Sequence, residues 1–136
     1  MYEYLKGKLI EKNPAYAIID CGGVGYFVNI SLHTFSDLSE KEQCKLFIHF
    51  IVREDAHILY GFANTFERDV FRSLINVSGV GASTARMILS ALSPNEVIDA
   101  IARGDVNILK SVKGIGLKSA QRIIVDLKGK LEINAD

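Results

Sequence analysis

Long hydrophobic runs are missing from this sequence. The longest apolar stretch, Leu46–Val52, has seven residues and is interrupted by His49. A membrane-spanning helix needs about 20 consecutive apolar residues, so no membrane segment is expected. The first ten residues, MYEYLKGKLI, carry charges and have no apolar core, which predicts that a secretory signal is absent.

Cysteine is also scarce. Cys21 and Cys44 are the only two among 136 residues; they lie too far apart for a CxxC redox motif and are too few for a zinc cage. The three histidines, His33, His49 and His57, show no metal-ligand spacing. These absences predict an intracellular, cytoplasmic chain with reduced thiols, no metal and no cofactor.

The whole chain has no excess of charge of one sign, because 16 Lys and Arg balance 16 Asp and Glu. The two halves differ, however: residues 1–63 have a net charge of −2 and residues 64–136 have a net charge of +2. Within 106–131 the only acidic residue is Asp126, and the net charge is +5. The basic residues there are Lys110, Lys113, Lys118, Arg122, Lys128 and Lys130. A local basic face is what nucleic-acid binding needs, although a solvated helix face has the same composition.

The first half of the chain has the alternating pattern that is typical of β-strands. Five short runs show it: Tyr4–Ile10, Tyr16–Asp20, Tyr26–Ile30, Leu46–Val52 and Ile58–Phe62. Gly22–Gly25 supplies a turn between the second and third runs, and His33–Leu38 is compatible with a helical turn after the third. Five short strands in this length fit a closed barrel of the oligonucleotide-binding (OB) type, with an SH3-like barrel as the alternative.

The apolar period becomes helical after residue 63. One stripe comprises Phe66, Val70, Phe71 and Leu74. Ser93-Pro94-Asn95-Glu96 predicts a helix start with a capping box, and Gly104 is placed to end that helix. The predicted fold class is therefore α+β: a five-stranded OB barrel over 1–63, followed by an all-α domain over 64–136.

Two segments of the second half repeat each other with a shift of 35 residues. Residues 74–89 read LINVSGVGASTARMIL and residues 109–124 read LKSVKGIGLKSAQRII. The Gly-Val-Gly at 79–81 aligns with the Gly-Ile-Gly at 114–116, and the same helical stripe follows each. One Gly-apolar-Gly turn is a weak signal, whereas two in register predict two helix-hairpin-helix motifs.

These hairpins have the chemistry of a phosphate site. Glycine lets another group approach the backbone closely, and the next helix begins with unpaired N–H groups at the positive end of its dipole. Such amides bind phosphate oxygens and do not read bases, so the prediction is sequence-independent DNA binding. The predicted DNA-binding residues are Ser78, Gly79, Val80, Gly81, Ser83, Gly114, Ile115, Gly116, Lys118, Ser119 and Arg122.

With these motifs, the sequence resembles the RuvA family of bacterial Holliday-junction recognition proteins. The resemblance lies in Gly22–Tyr26, Arg53–Ala56, Leu59–Phe62 and both hairpins, and it extends over essentially the whole chain. It implies a homotetramer, one or two per junction, that holds an open four-way DNA junction during recombination and DNA repair, including the SOS response to DNA damage. It also implies two protein partners, the hexameric motor ATPase RuvB and the resolvase RuvC.

The resemblance further assigns Glu54 and Asp55 to an acidic pin at the tetramer centre; on its own, this pair is more typical of solvated charges in a hairpin turn. Two features depart from the family. Relatives tend to carry a lysine just after the first hairpin, where this chain has Ala82-Ser83-Thr84. The family's C-terminal domain, which contacts the motor, would begin beyond Asp136.

Three other functional classes remain as alternatives. A helix-hairpin-helix glycosylase would use Asp99 or Asp105 as its catalytic aspartate. A structural module would lend DNA affinity to a nuclease subunit. A metal-dependent nuclease would need Glu54 and Asp55 to hold Mg²⁺, which two adjacent carboxylates rarely do. The sequence contains no Walker, G-x-S-x-G or dinucleotide motif, so no catalytic residue is expected.

Overall fold

The chain forms an α+β structure with a barrel followed by helices. A computed structural model describes residues 2–38 and 43–130, and the chain divides into two compact units between Arg68 and Asp69. The barrel unit consists of β1 (Tyr4–Lys12), β2 (Tyr16–Cys21), β3 (Val24–Asn29), α1 (Leu32–Asp37), β4 (Gln43–Arg53) and β5 (Ala56–Phe62). The predicted fold class is confirmed.

The strands close into a barrel in the order β1-β2-β3-β5-β4. Neighbouring strands are antiparallel except β3 and β5, which pair in parallel through Asn29 and Tyr60. With α1 inserted between β3 and β4, this topology is that of an OB barrel and not of an SH3-like barrel. The core is formed by inward-facing apolar residues, whose burial stabilises the barrel: Leu5, Ala17, Ile19, Val28, Ile30, Leu38, Leu46 and Ile48.

The turn between β2 and β3 is tighter than the sequence pattern predicts. Between β2 and β3 the turn consists of Gly22 and Gly23 alone, with φ values of 62° and 96°. Val24 pairs with Cys21 and Gly25 pairs with Asp20, so both belong to β3. The prediction that the turn extends to Gly25 was therefore wrong. Only the first two glycines adopt the left-handed conformation that the turn requires.

The first turn of the helix that follows β5 belongs to the barrel unit. Glu67 is completely buried, and its carboxylate accepts hydrogen bonds of 2.5 Å from the hydroxyls of Ser31 and Thr34. The adjacent Arg68 is also buried and makes a 2.7 Å ion pair with Glu3. These contacts hold the first turn of this helix in the compact unit that ends at Arg68.

The remaining helices form the second unit. They are α2 (Thr65–Ile75), which starts in the barrel unit, and α3 (Ala82–Ala91), α4 (Pro94–Arg103), α5 (Val106–Lys110) and α6 (Leu117–Leu127). The predicted capping box is present between Ser93 and Glu96, and Gly104 ends α4 in the left-handed conformation with a φ of 66°. Over residues 2–38 and 43–130, no helix has the length and apolar character needed to span a bilayer.

Candidate nucleic-acid interface

The two glycine hairpins have the same backbone conformation. In each, the first glycine lies in the left-handed region, with a φ of 88° at Gly79 and 90° at Gly114. The second glycine is extended, with φ and ψ of −90° and 175° at Gly81 and of −88° and 177° at Gly116. An L side chain is strained at the first position but not at the second, so the local geometry requires glycine at Gly79 and Gly114 alone.

The same hydrogen bonds also close both hairpins. In the first, the amides of Val77 and Val80 donate to the carbonyls of Leu74 and Val77 at 3.1 and 3.0 Å; 35 residues later the equivalent bonds measure 3.2 and 3.0 Å. The apolar residues between the glycines, Val80 and Ile115, are 5% and 6% exposed. Each side chain therefore plugs its hairpin into the helical core, as the repeat predicts.

Helices α3 and α6 begin with amides that lack an acceptor inside their own helix. The first intrahelical bonds run from Ala85 to Gly81 and from Ala120 to Gly116, at 2.9 and 3.0 Å. The amides of residues 82–84 and 117–119 therefore have no acceptor in the preceding turn. The N-cap residues Gly81 and Gly116 have no side chain that could accept a hydrogen bond from them. These amides also carry the positive end of the helix dipole. They can therefore hold an oxyanion.

Three other helices begin differently, because side chains cap them. Ser31, Ser93 and Asp105 accept hydrogen bonds from the first turns of α1, α4 and α5. A Cβ atom built on Gly81 or Gly116 would meet nothing within 4 Å. Among the helix starts with a described cap, the two in the glycine hairpins are thus the ones left open to an external acceptor.

The predicted hairpin residues differ in exposure. Those exposed are Ser78, Gly79, Gly81, Ser83, Gly114, Gly116, Lys118 and Arg122. Ser119 is half-buried. Because Val80 and Ile115 are buried, these two residues can meet a ligand only through their backbone. The predicted residues at 78–83 lie together at the first hairpin, and those at 114–122 lie together at the second hairpin and the start of α6.

Positive charge is concentrated at the second hairpin. Lys118 is exposed and has no ion-pair partner among the residues that the structure describes. Arg122 is exposed and lies 3.8 Å from Asp126, a distance at which a phosphate can compete for the guanidinium. Lys113 is exposed at the position that Ser78 occupies in the first hairpin. The predicted set missed this lysine, although the shift of 35 residues places it in the hairpin.

The acidic pair lies at the tip of a barrel hairpin. Arg53 pairs with Ala56, so Glu54 and Asp55 form the turn between β4 and β5, and both are exposed. In the described ranges, no group of three or more His, Cys, Asp or Glu residues could hold a metal ion. A nuclease centre built on this pair therefore has no further ligands there.

The two aspartates considered for a glycosylase have structural partners. Asp105 caps α5 by accepting a hydrogen bond from Ile108 at 3.2 Å. Asp99 makes a 3.0 Å ion pair with Arg103, which also lies 3.6 Å from Asp105. Both carboxylates thus have partners within or beside α4 and α5. This arrangement does not favour a catalytic acid.

The structure reveals a buried carboxylate that sequence reasoning missed. Burial raises the pKa of Glu67, and the hydrogen bonds from Ser31 and Thr34 partly offset this rise. No sequence signal distinguishes Glu67 from an ordinary helical glutamate, because its burial depends on α1 lying over it. Its contacts assign it to anchoring the helix on the barrel and not to the hairpin site.

Comparison with known proteins covers both units. Residues 1–61 match the family described as RuvA N terminal domain, and residues 71–129 match the SAM-like helix-hairpin-helix tandem family. The chain is 59% identical over 131 residues to the protein named Holliday junction branch migration complex subunit RuvA from Christiangramia forsetii, covering 96% of this chain and 68% of that protein. The chain belongs to the RuvA family.

Other RuvA relatives with the same name are similarly close. The Bacteroides fragilis protein is 58% identical over 135 residues, which is 99% of this chain and 67% of the relative. The Flavobacterium psychrophilum protein is 53% identical over 131 residues, which is 96% of this chain and 68% of the relative. The chain thus spans about two thirds of these RuvA proteins. The resemblance inferred from the sequence motifs is confirmed.

Proposed function

We propose that this chain binds four-way DNA junctions without sequence preference and holds them open for branch migration. The observation that carries the proposal is the pair of matching hairpins, each with uncapped amides beside an exposed glycine. Membership of the RuvA family supports it, since the relatives are named as subunits of a Holliday junction branch migration complex.

Each hairpin grips one phosphate of the DNA backbone. The phosphate oxygen accepts hydrogen bonds from the amides that open α3 or α6, where the helix dipole favours negative charge. The hydroxyl of Ser83 adds a neutral donor at the first hairpin, and Lys118 and Lys113 add charged donors at the second. Hydrogen bonds to charged groups are worth about 1.5–3 kcal/mol each. Since these donors meet no base edges, binding is independent of sequence.

Four copies of the chain provide one grip for each arm of the junction. A homotetramer with four-fold symmetry repeats the same weak contact, so the second and later contacts are intramolecular. Avidity then makes a four-way junction a far better ligand than a linear duplex, although each hairpin contact is identical. Either one or two such tetramers enclose the junction.

Glu54 and Asp55 act at the centre of this assembly as an acidic pin. They are exposed at the tip of a two-residue turn, where their carboxylates repel nearby phosphates. Such repulsion does not add affinity. It keeps the crossover open and directs the separated strands along different arms.

Strand movement and junction cleavage belong to partner proteins. The sequence contains no Walker motif, so ATP hydrolysis is assigned to the motor RuvB and resolution to RuvC. The chain is then a DNA-binding subunit and not an enzyme. We place it in the cytoplasm, where chromosomal DNA is handled and Cys21 and Cys44 remain reduced.

A competition experiment tests the proposed function. The chain is titrated with a four-way junction and with linear duplex of the same arm sequence over a range of salt concentrations, and its mass in solution is measured. The junction should bind much more tightly, with a mass of four or eight chains and a salt slope of about 0.9 per phosphate neutralised. Equal affinity for both DNAs would contradict the proposal, and a monomeric mass would instead favour a module of another complex.

A further inference from the structure

The hairpin that carries the acidic pin extends past its pairing with the neighbouring strands. β1 pairs with β4 from Gln43 to Phe47, and β3 pairs with β5 at Tyr60. Beyond these positions β4 and β5 continue to pair with each other as far as Arg53 and Ala56. Along β4, the distance from Phe47 to Arg53 is about 20 Å. The pin therefore lies at the end of a two-stranded ribbon, which comprises residues 49–59.

This ribbon does not fix the position of its own tip. Two-stranded ribbons twist more strongly than wide sheets, and an isolated hairpin is at best marginally stable in water. The pairing of β4 with β5 sets the turn in which Glu54 and Asp55 lie, but it does not hold the ribbon against the rest of the barrel. Contacts from outside the ribbon must supply that support.

Aromatic rings line one face of the ribbon. Phe50 pairs with Leu59 and Val52 pairs with His57, so these four side chains share a face. The face continues from the barrel core, because Ile48, two residues before Phe50, is completely buried. The rings of Phe50 and His57 meet edge to face, with centroids 5.5 Å apart. The row of rings therefore reaches from the barrel almost to the pin.

Tyr2 connects this row to the body of the barrel. Its ring meets that of Phe50 edge to face, with centroids 5.1 Å apart and an angle of 87° between the ring planes. The same ring lies 6.3 Å from the ring of Tyr26 on β3, at 66°. Tyr26 packs against the barrel core. Since edge-to-face pairs at such distances are favourable, Tyr2 supports the ribbon from a fixed part of the barrel.

We propose that Tyr2 is a positioning residue that holds the carboxylates of Glu54 and Asp55 in place at the junction centre. The inference rests on the proposed function of this pin. Repulsion of a phosphate depends on its distance from the charge, so a ribbon that moves freely would separate the strands less effectively. Tyr2 acts through Phe50 and not by contact with DNA. It is 41% exposed, so the barrel core does not depend on it.

Hydrogen exchange of the full chain, measured by mass spectrometry, tests the support itself. In Tyr2→Ala the ribbon amides should exchange about fivefold faster than in the parent, as expected from the loss of such ring contacts. Tyr2→Phe keeps the ring and should exchange as the parent does. Tyr4→Ala is the matched control and should leave the ribbon protected. Tyr4 is 49% exposed, and its ring meets that of Phe47, where β1 and β4 still pair.

A four-way junction with 2-aminopurine at the crossover tests the consequence for DNA, because this base fluoresces more strongly when it is unstacked. With Tyr2→Ala the fluorescence gain on binding should be about half that of the parent, because the pin charges are no longer fixed. Junction affinity should stay within about twofold, because the glycine hairpins provide it. Added to the neutral pin variant (Glu54→Gln, Asp55→Asn), Tyr2→Ala should change the fluorescence no further.

Three results would overturn the proposal. They are unchanged ribbon exchange in Tyr2→Ala, equally fast ribbon exchange in Tyr4→Ala, and a full fluorescence gain in Tyr2→Ala when the neutral pin variant has lost it. Failure of the proposed pin function would look different, because the neutral pin variant itself would then keep the parent's fluorescence gain. In that case the exchange of the ribbon alone decides whether Tyr2 holds it.

Discussion

Gly79 and Gly114, 35 positions apart, have φ values of 88° and 90°. Each is followed two residues later by an extended glycine that begins a helix without a side-chain cap. Because the hydrogen bonds around them also coincide, the repeat in the sequence is a repeat in three dimensions. The duplicated feature is an open pair of helix N-termini, which is a phosphate-binding geometry.

The first prediction concerns the second hairpin. The double variant Gly116→Val, Lys118→Ala should weaken four-way junction binding by about tenfold or more, because a blocked amide and a lost charge each remove a phosphate contact. The fold should persist, since a Cβ at Gly116 meets nothing within 4 Å. Gel shifts measure binding and circular dichroism measures folding.

Lys128→Ala is the control for this variant, because it removes an exposed lysine at the end of α6 rather than in the hairpin. It should weaken DNA binding only slightly, through the loss of one positive charge that attracts DNA without a specific contact. Equal losses in both proteins, or no loss in the double variant, would mean that the second hairpin is not the grip.

The second prediction separates the two glycines of that hairpin. Gly114→Ala should lower the free energy of unfolding by about 1–2 kcal/mol, because an alanine is strained at a φ of 90°. Gly116→Ala should change it by no more than about 0.5 kcal/mol, because that residue is extended and its surroundings are open. Urea denaturation of both variants gives the comparison. Similar losses would show that positive φ is not what the first glycine provides.

The third prediction addresses the acidic pin. Replacing Glu54 with Gln and Asp55 with Asn should raise the affinity for linear duplex, because repulsion of phosphates is removed. Strand separation at the junction should become slower than with the parent chain. Both residues are exposed in a turn, so stability should stay within about 0.5 kcal/mol of the parent. An unchanged ratio of duplex to junction affinity would contradict the assigned role.

The fourth prediction concerns the pH dependence of folding. The pKa of Glu67 is raised in the folded chain, first by burial, so its protonated form stabilises the fold. This contribution is complete below the ordinary glutamate pKa and is lost as the pH rises through the raised value. The free energy of unfolding should therefore fall over this interval in the parent chain.

Glu67→Gln is the matched variant, since glutamine keeps the shape and remains neutral. Its unfolding free energy should vary less with pH over the same interval, while Ser31 and Thr34 can still donate or accept. Urea denaturation at several pH values makes the comparison. Parallel curves for the two proteins would mean that Glu67 does not control the dependence.

Much of this protein follows from local sequence features. The hairpin glycines, the capping box at Ser93 and the helix end at Gly104 were all predictable, because helix period, capping and positive φ depend on residues close together in the chain. The five strands were predicted for the same reason, although their ends shifted. The repeat aligns Lys113 with Ser78, so Lys113 could have been predicted as a site residue, but it was not.

Other features depend on contacts between residues that are far apart. In the sequence, Glu67 and Arg68 look like ordinary helix residues. Contacts with Ser31, Thr34 and Glu3 make them a buried anchor of the helix. Their burial depends on how α1 and β1 lie against the start of α2.

The sequence by itself determined the barrel, the paired hairpins and the family, because alternation, helical period and glycine spacing are properties of the chain. Only the tertiary structure decided which amides stay open and that Glu67 and Arg68 are buried. The physical reason is that strand register, burial and the cap of each helix depend on neighbours that the local pattern does not specify.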